Sequence, residues 1–380
     1  MENKIKHGLF WFAFAILLLP LAVQKLHFIK SGELKGGFSR AANVQLTAHG
    51  WFSGEYQQQK EKYWNDEVGL RPDLVRFINQ VDYSFFDVCH AGWTIKGKNG
   101  YLFQWPYVDA YYGNDFAGYK QVRKRCYQMK AIQDTLAKLN KSFILAYLPS
   151  KASSYPEYFP DNRITQKKIT NYELYKKVCD SLGINQVDMD KWFVSMKGKS
   201  EHPLFTKQGI HWTWYGAVIG GDSLMRYMEQ LRHVHVSHPY WKDYIHTTKL
   251  TNGDNDVALE LNLIFPVATE WVDYPKIIDV PGTGKKINAI YIGDSYAHKM
   301  IEFGILYKMN NQCEYWGYFD EMHDINGHKF AYIKDYDWVD AINRTDCLVL
   351  SYTLFNFRDL GNGFIDKAYK HYYPTGQWSK

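Results

Sequence analysis

Residues Ile287-Asn288-Ala289-Ile290-Tyr291-Ile292-Gly293-Asp294-Ser295-Tyr296 decide the fold, because a β-rich apolar run gives way at a glycine to a polar pair and then to a helical pattern. Six residues of that composition suit a buried strand. The pattern after it predicts a helix over residues 296–310. Strand running directly into helix is the repeating unit of parallel α/β sheets.

The same alternation recurs on both sides. Residues 120–140 read as a long amphipathic helix, 141–148 as a strand ended by Pro149, 165–182 as a helix, 183–187 as a short strand and 217–231 as a helix. Further strands are expected at 314–319 and 347–352. Upstream, 93–103 has Gly97, Asn99 and Gly100 between β-rich flanks and predicts a hairpin. Residues 51–86 read as helical with a break at 69–72. Together these predict an open, mostly parallel sheet with helices on both faces.

Composition narrows the function classes. The charge of +5 from 45 basic and 40 acidic residues is small and scattered, which excludes the dense basic stripe that nucleic acid requires. Cys89, Cys126, Cys179, Cys313 and Cys347 stand far apart with no CxxC, and neither HxH nor HExxH occurs. No metal site and no cofactor are expected. The odd count leaves room for one disulfide at most alongside buried thiols. An aromatic share of 17% serves a thick core first, although flat rings also stack on sugars.

At the amino terminus Lys4, Lys6 and His7 precede an apolar run over 9–23, with 26–29 briefly resuming after Gln24 and Lys25. About 15 residues of helix span only ~23 Å, so a membrane helix has to borrow 26–29 with Lys25 snorkelling. The alternative is a cleaved signal, but no small-x-small site follows Val23. The expected organisation is an anchor over 1–30, a stalk over 31–50 and an exported domain over 51–380. The flanking lysines predict a cytoplasmic amino terminus, hence a single-pass protein of the cytoplasmic membrane with its bulk on the periplasmic side, working without free ATP or NAD.

Two serines sit in a Gly-Asp-Ser sequence. Gly221-Asp222-Ser223-Leu224, with Asp320-Glu321-Met322-His323 as its apparent partner, falls inside the helix expected at 217–231, where a nucleophile cannot be presented above a sheet. Ser295 has the right context: Gly293 permits a tight turn, and free N–H groups of the first helical turn suit a developing negative oxygen. The same residues also suit a plain turn and N-cap. A serine hydroxyl needs a base. His211, in Gly209-Ile210-His211-Trp212-Thr213-Trp214, is the best candidate, with Trp212 shaping a pocket; a packed structural histidine is the competing reading. His298, one turn after Ser295, is an alternative base on the wrong face of its own helix.

These stretches resemble the SGNH-hydrolase-like O-acetyltransferases of bacterial polysaccharide modification, typified by the alginate acetylation proteins AlgJ and AlgX. Asp66-Glu67-Val68-Gly69-Leu70-Arg71 is similar to the family's D-x-x-G-x-R, Gly97-Lys98-Asn99-Gly100-Tyr101-Leu102-Phe103 to its GKDGWLF, and His211-Trp212 followed by Gly293-Asp294-Ser295-Tyr296 to its D-x-H-W block and later serine. The resemblance implies an SGNH-hydrolase-like (flavodoxin-like) fold with circularly permuted motif order. It also implies acetyl transfer through Ser295 and His211, supported by Gly293, Asp294, Tyr296 and Trp212, on an exported polysaccharide. A membrane-bound O-acyltransferase partner passing acetyl groups across the membrane is implied as well. The family's aspartate two residues before the histidine is Gly209 here. Asp188, Glu201 or a carbonyl has to replace it, or the protein is weakened. An acetyl esterase with the same Ser/His pair and a non-catalytic glycan-binding scaffold are the alternative functions.

Overall fold

The computed structural model describes residues 2–376 apart from 38, 237, 239, 252, 279–285, 303, 305, 307–309 and 325. The chain forms two compact units, Met1–Gly92 with Val257–Val267, and Trp93–Asp256 with Ala268–Lys380. Residues 51–92, grouped with the large domain in the sequence reading, fall in the first unit.

The first unit is helical. Its opening helix Glu2–Leu26 contains a 24-residue span, Asn3–Leu26, long and apolar enough to cross a membrane, by length and composition. The helix gains its length at the amino end, from residue 2, and stops at Leu26 instead of borrowing residues up to 29. At 1.5 Å per residue 24 residues reach ~36 Å, beyond a ~30 Å hydrocarbon slab. Helices Ala48–Ser53, Glu55–Glu67 and Arg71–Phe85 follow, broken at Gly54 and again around Gly69. Gly69 is required by space: a Cβ there would lie 2.2 Å from the Pro20 carbonyl oxygen. Asn79 donates to the Leu261 carbonyl at 2.8 Å and ties the returning segment to the third of these helices.

The second unit opens with the expected hairpin, β1 (Thr94–Lys96) and β2 (Leu102–Gln104), turned at Asn99 and Gly100, both with positive φ. It continues through β3 (Ser142–Leu148), β4 (Gln186–Asp188), β5 (Tyr240–Thr247), β6 (Val272–Ile278), β7 (Ile287–Gly293), β8 (Asn310–Gly317), β9 (Glu321–His323), β10 (Lys329–Tyr332) and β11 (Cys347–Thr353). The main sheet has the order β10-β9-β8-β7-β11-β3-β4. β4, β3, β11, β7 and β8 run parallel, and β9 and β10 add an antiparallel edge. β3 and β11 are buried along their whole length, as strands covered on both faces must be.

On one face Phe143, Leu145 and Tyr147 of β3 share a core with Val122, Met129 and Ile132 of the helix Tyr119–Lys138, Leu174 of Asn171–Leu182 and Phe364 of Phe364–Tyr372. The opposite side chains of β3 meet the helices Met189–Met196 and Trp214–Arg232. The helix after β7 is Ser295–Glu302, shorter than expected; several of residues 303–310 lie outside those described.

Unexpected from sequence is the antiparallel pair β5 and β6, whose polar, half-exposed residues carry no clear alternation. Its connecting segment, residues 248–271, proves decisive for the site. All five cysteines are free, with four of them buried; Cys126 and Cys179 lie 3.6 Å apart, sulfur to sulfur. Among the described residues no cluster of three metal-ligating groups occurs.

Candidate active site

Ser295 stands where β7 ends and a helix begins. Gly293, the last residue of β7, pairs in register with Ser351 of β11 and Gly317 of β8. A Cβ on Gly293 would sit 2.2 Å from the Ser351 carbonyl oxygen, so only glycine lets the chain turn this close to its neighbour. Asp294 clamps the turn. Its carboxylate accepts from Thr353 N at 2.7 Å, Thr353 Oγ1 at 2.6 Å and Asn356 Nδ2 at 2.7 Å, and its other oxygen from Tyr296 N at 3.1 Å. Burial raises its pKa while these four donors oppose the rise. Asp294 is therefore spent on fixing β7 to β11 and does not reach the histidine.

His211 arrives on the segment 205–212, whose ends Phe205 and Trp212 form a β-bridge. Its Nε2 lies 2.8 Å from Ser295 Oγ, across 84 positions of sequence. Its Nδ1 lies 2.6 Å from Asp256 Oδ2, and Asp256 Oδ1 accepts from Ile210 N at 2.9 Å. One carboxylate thus fixes both the imidazole and the backbone beside it. Tyr296 donates to the Ile210 carbonyl and lays its ring 4.8 Å from the His211 ring. Trp212 is fully buried between Phe193 and Tyr296, against Gly220, where a Cβ would come within 2.5 Å of the indole. It shapes the wall through packing.

Asp188 and Glu201 do not replace the missing aspartate. Asp188 caps the helix Met189–Met196, accepting from Lys191 N, and takes the Tyr172 hydroxyl at 2.8 Å. Glu201 makes no contact with His211 among the described hydrogen bonds. The carboxylate beside His211 Nδ1 is that of Asp256, from the β5–β6 connection. Gly209 follows from the same arrangement: a Cβ there would lie 2.6 Å from the Asp254 carbonyl oxygen. The backbone that delivers Asp256 occupies the space in which an aspartate at 209 would stand.

Beneath this loop lies Lys151, fully buried, just beyond the end of β3. Its ammonium donates to the carbonyls of Thr206 at 3.3 Å, Lys207 at 3.1 Å and Gly209. Burial pulls it down to about 7, with Asp256 and Glu270 acting in the opposite sense. Asp254, also buried, is pushed up to about 8, chiefly by desolvation, with the Tyr274 hydroxyl opposing. Tyr318, half-exposed and with φ of +50°, accepts from Ser295 N at 3.3 Å.

The other candidates stand elsewhere. Ser223 is within the helix Trp214–Arg232, and Asp222 pairs with Arg226 and His238. His298 turns toward Tyr315 and His323, with ring centroids 5.1 and 5.4 Å away, and burial lowers its pKa. Asp256, Lys151, Tyr318, Thr353 and Asn356 escaped the sequence reading. For Lys151 a signal existed, a lysine three residues past an apolar strand, but for Asp256 nothing short of the β5–β6 pairing supplies one.

Residues 95–264 match the family model of the SGNH hydrolase-like domain of the acetyltransferase AlgX, and over that stretch the chain is AlgJ/AlgX-like. The matched stretch holds His211 and Asp256 and ends before Ser295. Among individual proteins, the chain is 26% identical over 193 residues to the probable alginate O-acetylase AlgJ of Azotobacter vinelandii, covering 50% of this chain and 47% of that one. It is 22% identical over 209 residues to the protein of the same name from Pseudomonas syringae pv. tomato, covering 55% and 51%. The chain thus spans about half the length of the curated relatives it matches. The O-acetyltransferase domain of Pseudomonas putida AlgJ superposes with a TM-score of 0.49 at 16% identity, covering 73% of this chain and 99% of that one. For Pseudomonas aeruginosa AlgX the TM-score is 0.43 at 18% identity, covering 72% and 67%.

Proposed function

We propose that the chain is a membrane-anchored O-acetyltransferase that acts on an exported polysaccharide through an acetyl-serine intermediate. The observation that carries this reading is the hydrogen-bonded line Ser295 Oγ–His211 Nε2 at 2.8 Å and His211 Nδ1–Asp256 Oδ2 at 2.6 Å. Support comes from the likeness to acetyltransferase AlgX over residues 95–264 and from the names of the AlgJ relatives.

In the first step His211 Nε2 takes the Ser295 proton as Oγ attacks the carbonyl carbon of an acetyl donor. Asp256 keeps the other ring nitrogen protonated, holds the imidazole in the useful tautomer and stabilises the imidazolium that forms. The negative oxygen develops at the amino end of the helix Ser295–Glu302, near Ser295 N–H and the Tyr318 hydroxyl. The donor's leaving group takes the proton from His211. In the second step a sugar hydroxyl gives its proton to His211 and attacks the acetyl carbon, the bond from that carbon to Ser295 Oγ breaks, and His211 returns the proton to Oγ as the acetylated glycan leaves.

A non-catalytic scaffold draws on the missing aspartate and on the aromatic richness, and a carboxylate 2.6 Å from His211 Nδ1 speaks against the first of these. Anchoring by residues 3–26, a periplasmic position for the second unit and supply of acetyl groups by a membrane-bound O-acyltransferase complete the proposal. The test is incubation of the purified chain with an aryl acetate and oligosaccharides. Wild type is expected to gain the mass of one acetyl group on Ser295 and pass it to sugar, and Ser295→Ala to do neither. Hydrolysis without transfer to any sugar makes it an esterase. Unchanged transfer by Ser295→Ala sinks the serine mechanism.

A further inference from the structure

The helix Arg71–Phe85 of the first unit turns its apolar side outward. Leu74, Phe77, Ile78 and Phe85 are each between 48% and 78% exposed. At about 100° of turn per residue these four fall within one stripe about 100° wide. The opposite side is the one engaged by the unit. Arg76 donates to the carbonyls of Gly32 at 2.9 Å and Glu33 at 2.7 Å, and Asn79 reaches the Leu261 carbonyl. A surface helix of a water-soluble unit buries its apolar stripe and exposes its polar one. Here the order is reversed.

The returning segment adds to this surface. Phe265 N donates to Gln80 Oε1 of the helix at 2.9 Å, and Phe265 and its neighbour Ile264 are both exposed. An assembly of exposed rings and aliphatic side chains such as this marks a surface that something covers.

The helix Glu2–Leu26, in the same unit, points to the cover. Gly69 packs on it so closely that a Cβ would lie 2.2 Å from the Pro20 carbonyl oxygen, 2.7 Å from Gln24 N and 3.1 Å from Val23 Cβ. Val23 is buried. Counted from Asn3, where the apolar span begins, Pro20 and Gln24 lie ~26 and ~32 Å along the helix, at the far edge of a ~30 Å hydrocarbon slab. With that span in a bilayer, Gly69 and the start of the helix at Arg71 are held at headgroup level. The stripe from Leu74 to Phe85 is ~17 Å long, so it meets lipid along its whole length only where the helix lies flat. Rings and aliphatic side chains at that level gain by entering the boundary between headgroups and acyl chains. A bilayer already beside the face covers it with no further molecule.

We infer that the helix Arg71–Phe85 docks in the membrane interface, with Leu74, Phe77, Ile78 and Phe85 entering the lipid and Phe265 beside them. This rests on the proposed anchoring by residues 3–26 and is independent of the acetyl-transfer chemistry. The lipid surface becomes a second attachment that fixes how the first unit sits on the membrane.

The test uses the full chain carrying Cys89→Ser, since the other four thiols are buried. Phe14→Cys, Phe77→Cys and Phe85→Cys are added singly, tagged with a thiol-specific nitroxide and reconstituted in vesicles of phosphatidylethanolamine and phosphatidylglycerol. Spin resonance reads collisions with oxygen, which concentrates in lipid, and with a nickel chelate, which stays in water. Oxygen is expected to dominate at 14, marking the anchor, and at 77 and 85 as well, at shallower depth. Every substituted side chain is exposed, and melting temperatures equal to that of the parent show that the variants fold. Nickel dominating at 77 or 85 while oxygen dominates at 14 overturns the docking and leaves the anchor standing. Low collision with both reagents at 77 or 85 marks a protein contact, whether a second copy or another partner, and also overturns it. Nickel dominating at 14 overturns the anchor and the docking together.

Discussion

The Ser295 turn and the loops that meet it are built in opposite ways. Gly293, Asp294, Ser295 and Tyr296 are consecutive, and strand, turn and helix are written in the local pattern. His211 and Asp256 come from two long connections, 205–212 and 248–271, the second regular only in the one-turn helix Asp256–Glu260 that Asp256 opens. What stiffens the first is a glycine that fits against β11 and a carboxylate with four donors. What stiffens the second is long-range: Lys151 under three carbonyls, Thr206 Oγ1 donating to the Asp254 carbonyl, and Lys207 N donating to Glu270 at 2.6 Å. A nucleophile can be placed by local geometry, whereas its base and acid depend on the packing of distant loops.

The contrast breaks most visibly at its centre. Ser295→Ala is expected to lower acetyl transfer about 10³-fold or more with no change in melting temperature, read as initial rates and by calorimetry. Asp256→Asn should cost about 10³-fold in kcat, because the amide leaves the imidazole in the wrong tautomer. Restoring the family's aspartate should not help. Gly209→Asp in the Asp256→Asn background is expected to stay inactive and melt lower, since its Cβ would strike the Asp254 carbonyl; recovered activity would show that the two loops are not rivals for one space.

Lys151→Met acts on the loops. It leaves three buried carbonyls without their donor and should destabilise the chain by about 2–4 kcal/mol, measured by denaturant unfolding, with transfer lowered and aryl acetate binding little changed. Its titration adds a sign. The folded pKa lies near 7, below the unfolded lysine value, so the unfolded chain holds the extra proton between about pH 7 and ~10.4 and this group makes stability rise with pH there. Lys151→Met should lose that rise.

Asp254 acts in the reverse direction. Its folded pKa near 8 exceeds the unfolded value, so the folded chain holds the extra proton and this group makes stability fall from about pH 4 to about pH 8. Asp254→Asn is expected to remove that fall in a series of melts across the range. The smallest effect belongs to Ser223→Ala, on the helix Trp214–Arg232, which should change neither transfer nor stability beyond about 0.5 kcal/mol.

Legibility followed the same division. The strands β3, β7 and β11 and the helices beside them were readable because buried parallel strands are short apolar runs between amphipathic helices. Tyr240-Trp241-Lys242-Asp243-Tyr244-Ile245 of β5 was not, since its residues are exposed or half-buried and it is held by pairing with β6, which needs no apolar alternation. Missing that strand pair hid the loop it carries, and with it Asp256. Asp188 and Glu201 lie nearer His211 in sequence than Asp256 does, but Asp188 is engaged by Tyr172 and Lys191 N and Glu201 makes no described hydrogen bond to His211.

The α/β alternation, the apolar amino-terminal helix, the glycine-led turn that carries Ser295 and the helical setting of Ser223 were all written in the sequence, because each follows from forces acting over a few neighbouring residues. Only the tertiary structure decided which acid stands behind His211, why residue 209 is glycine, and that a lysine is buried beneath the loop. Those depend on which distant backbone segment fills a given space, and steric exclusion between segments separated by more than forty residues leaves no periodic trace in either of them.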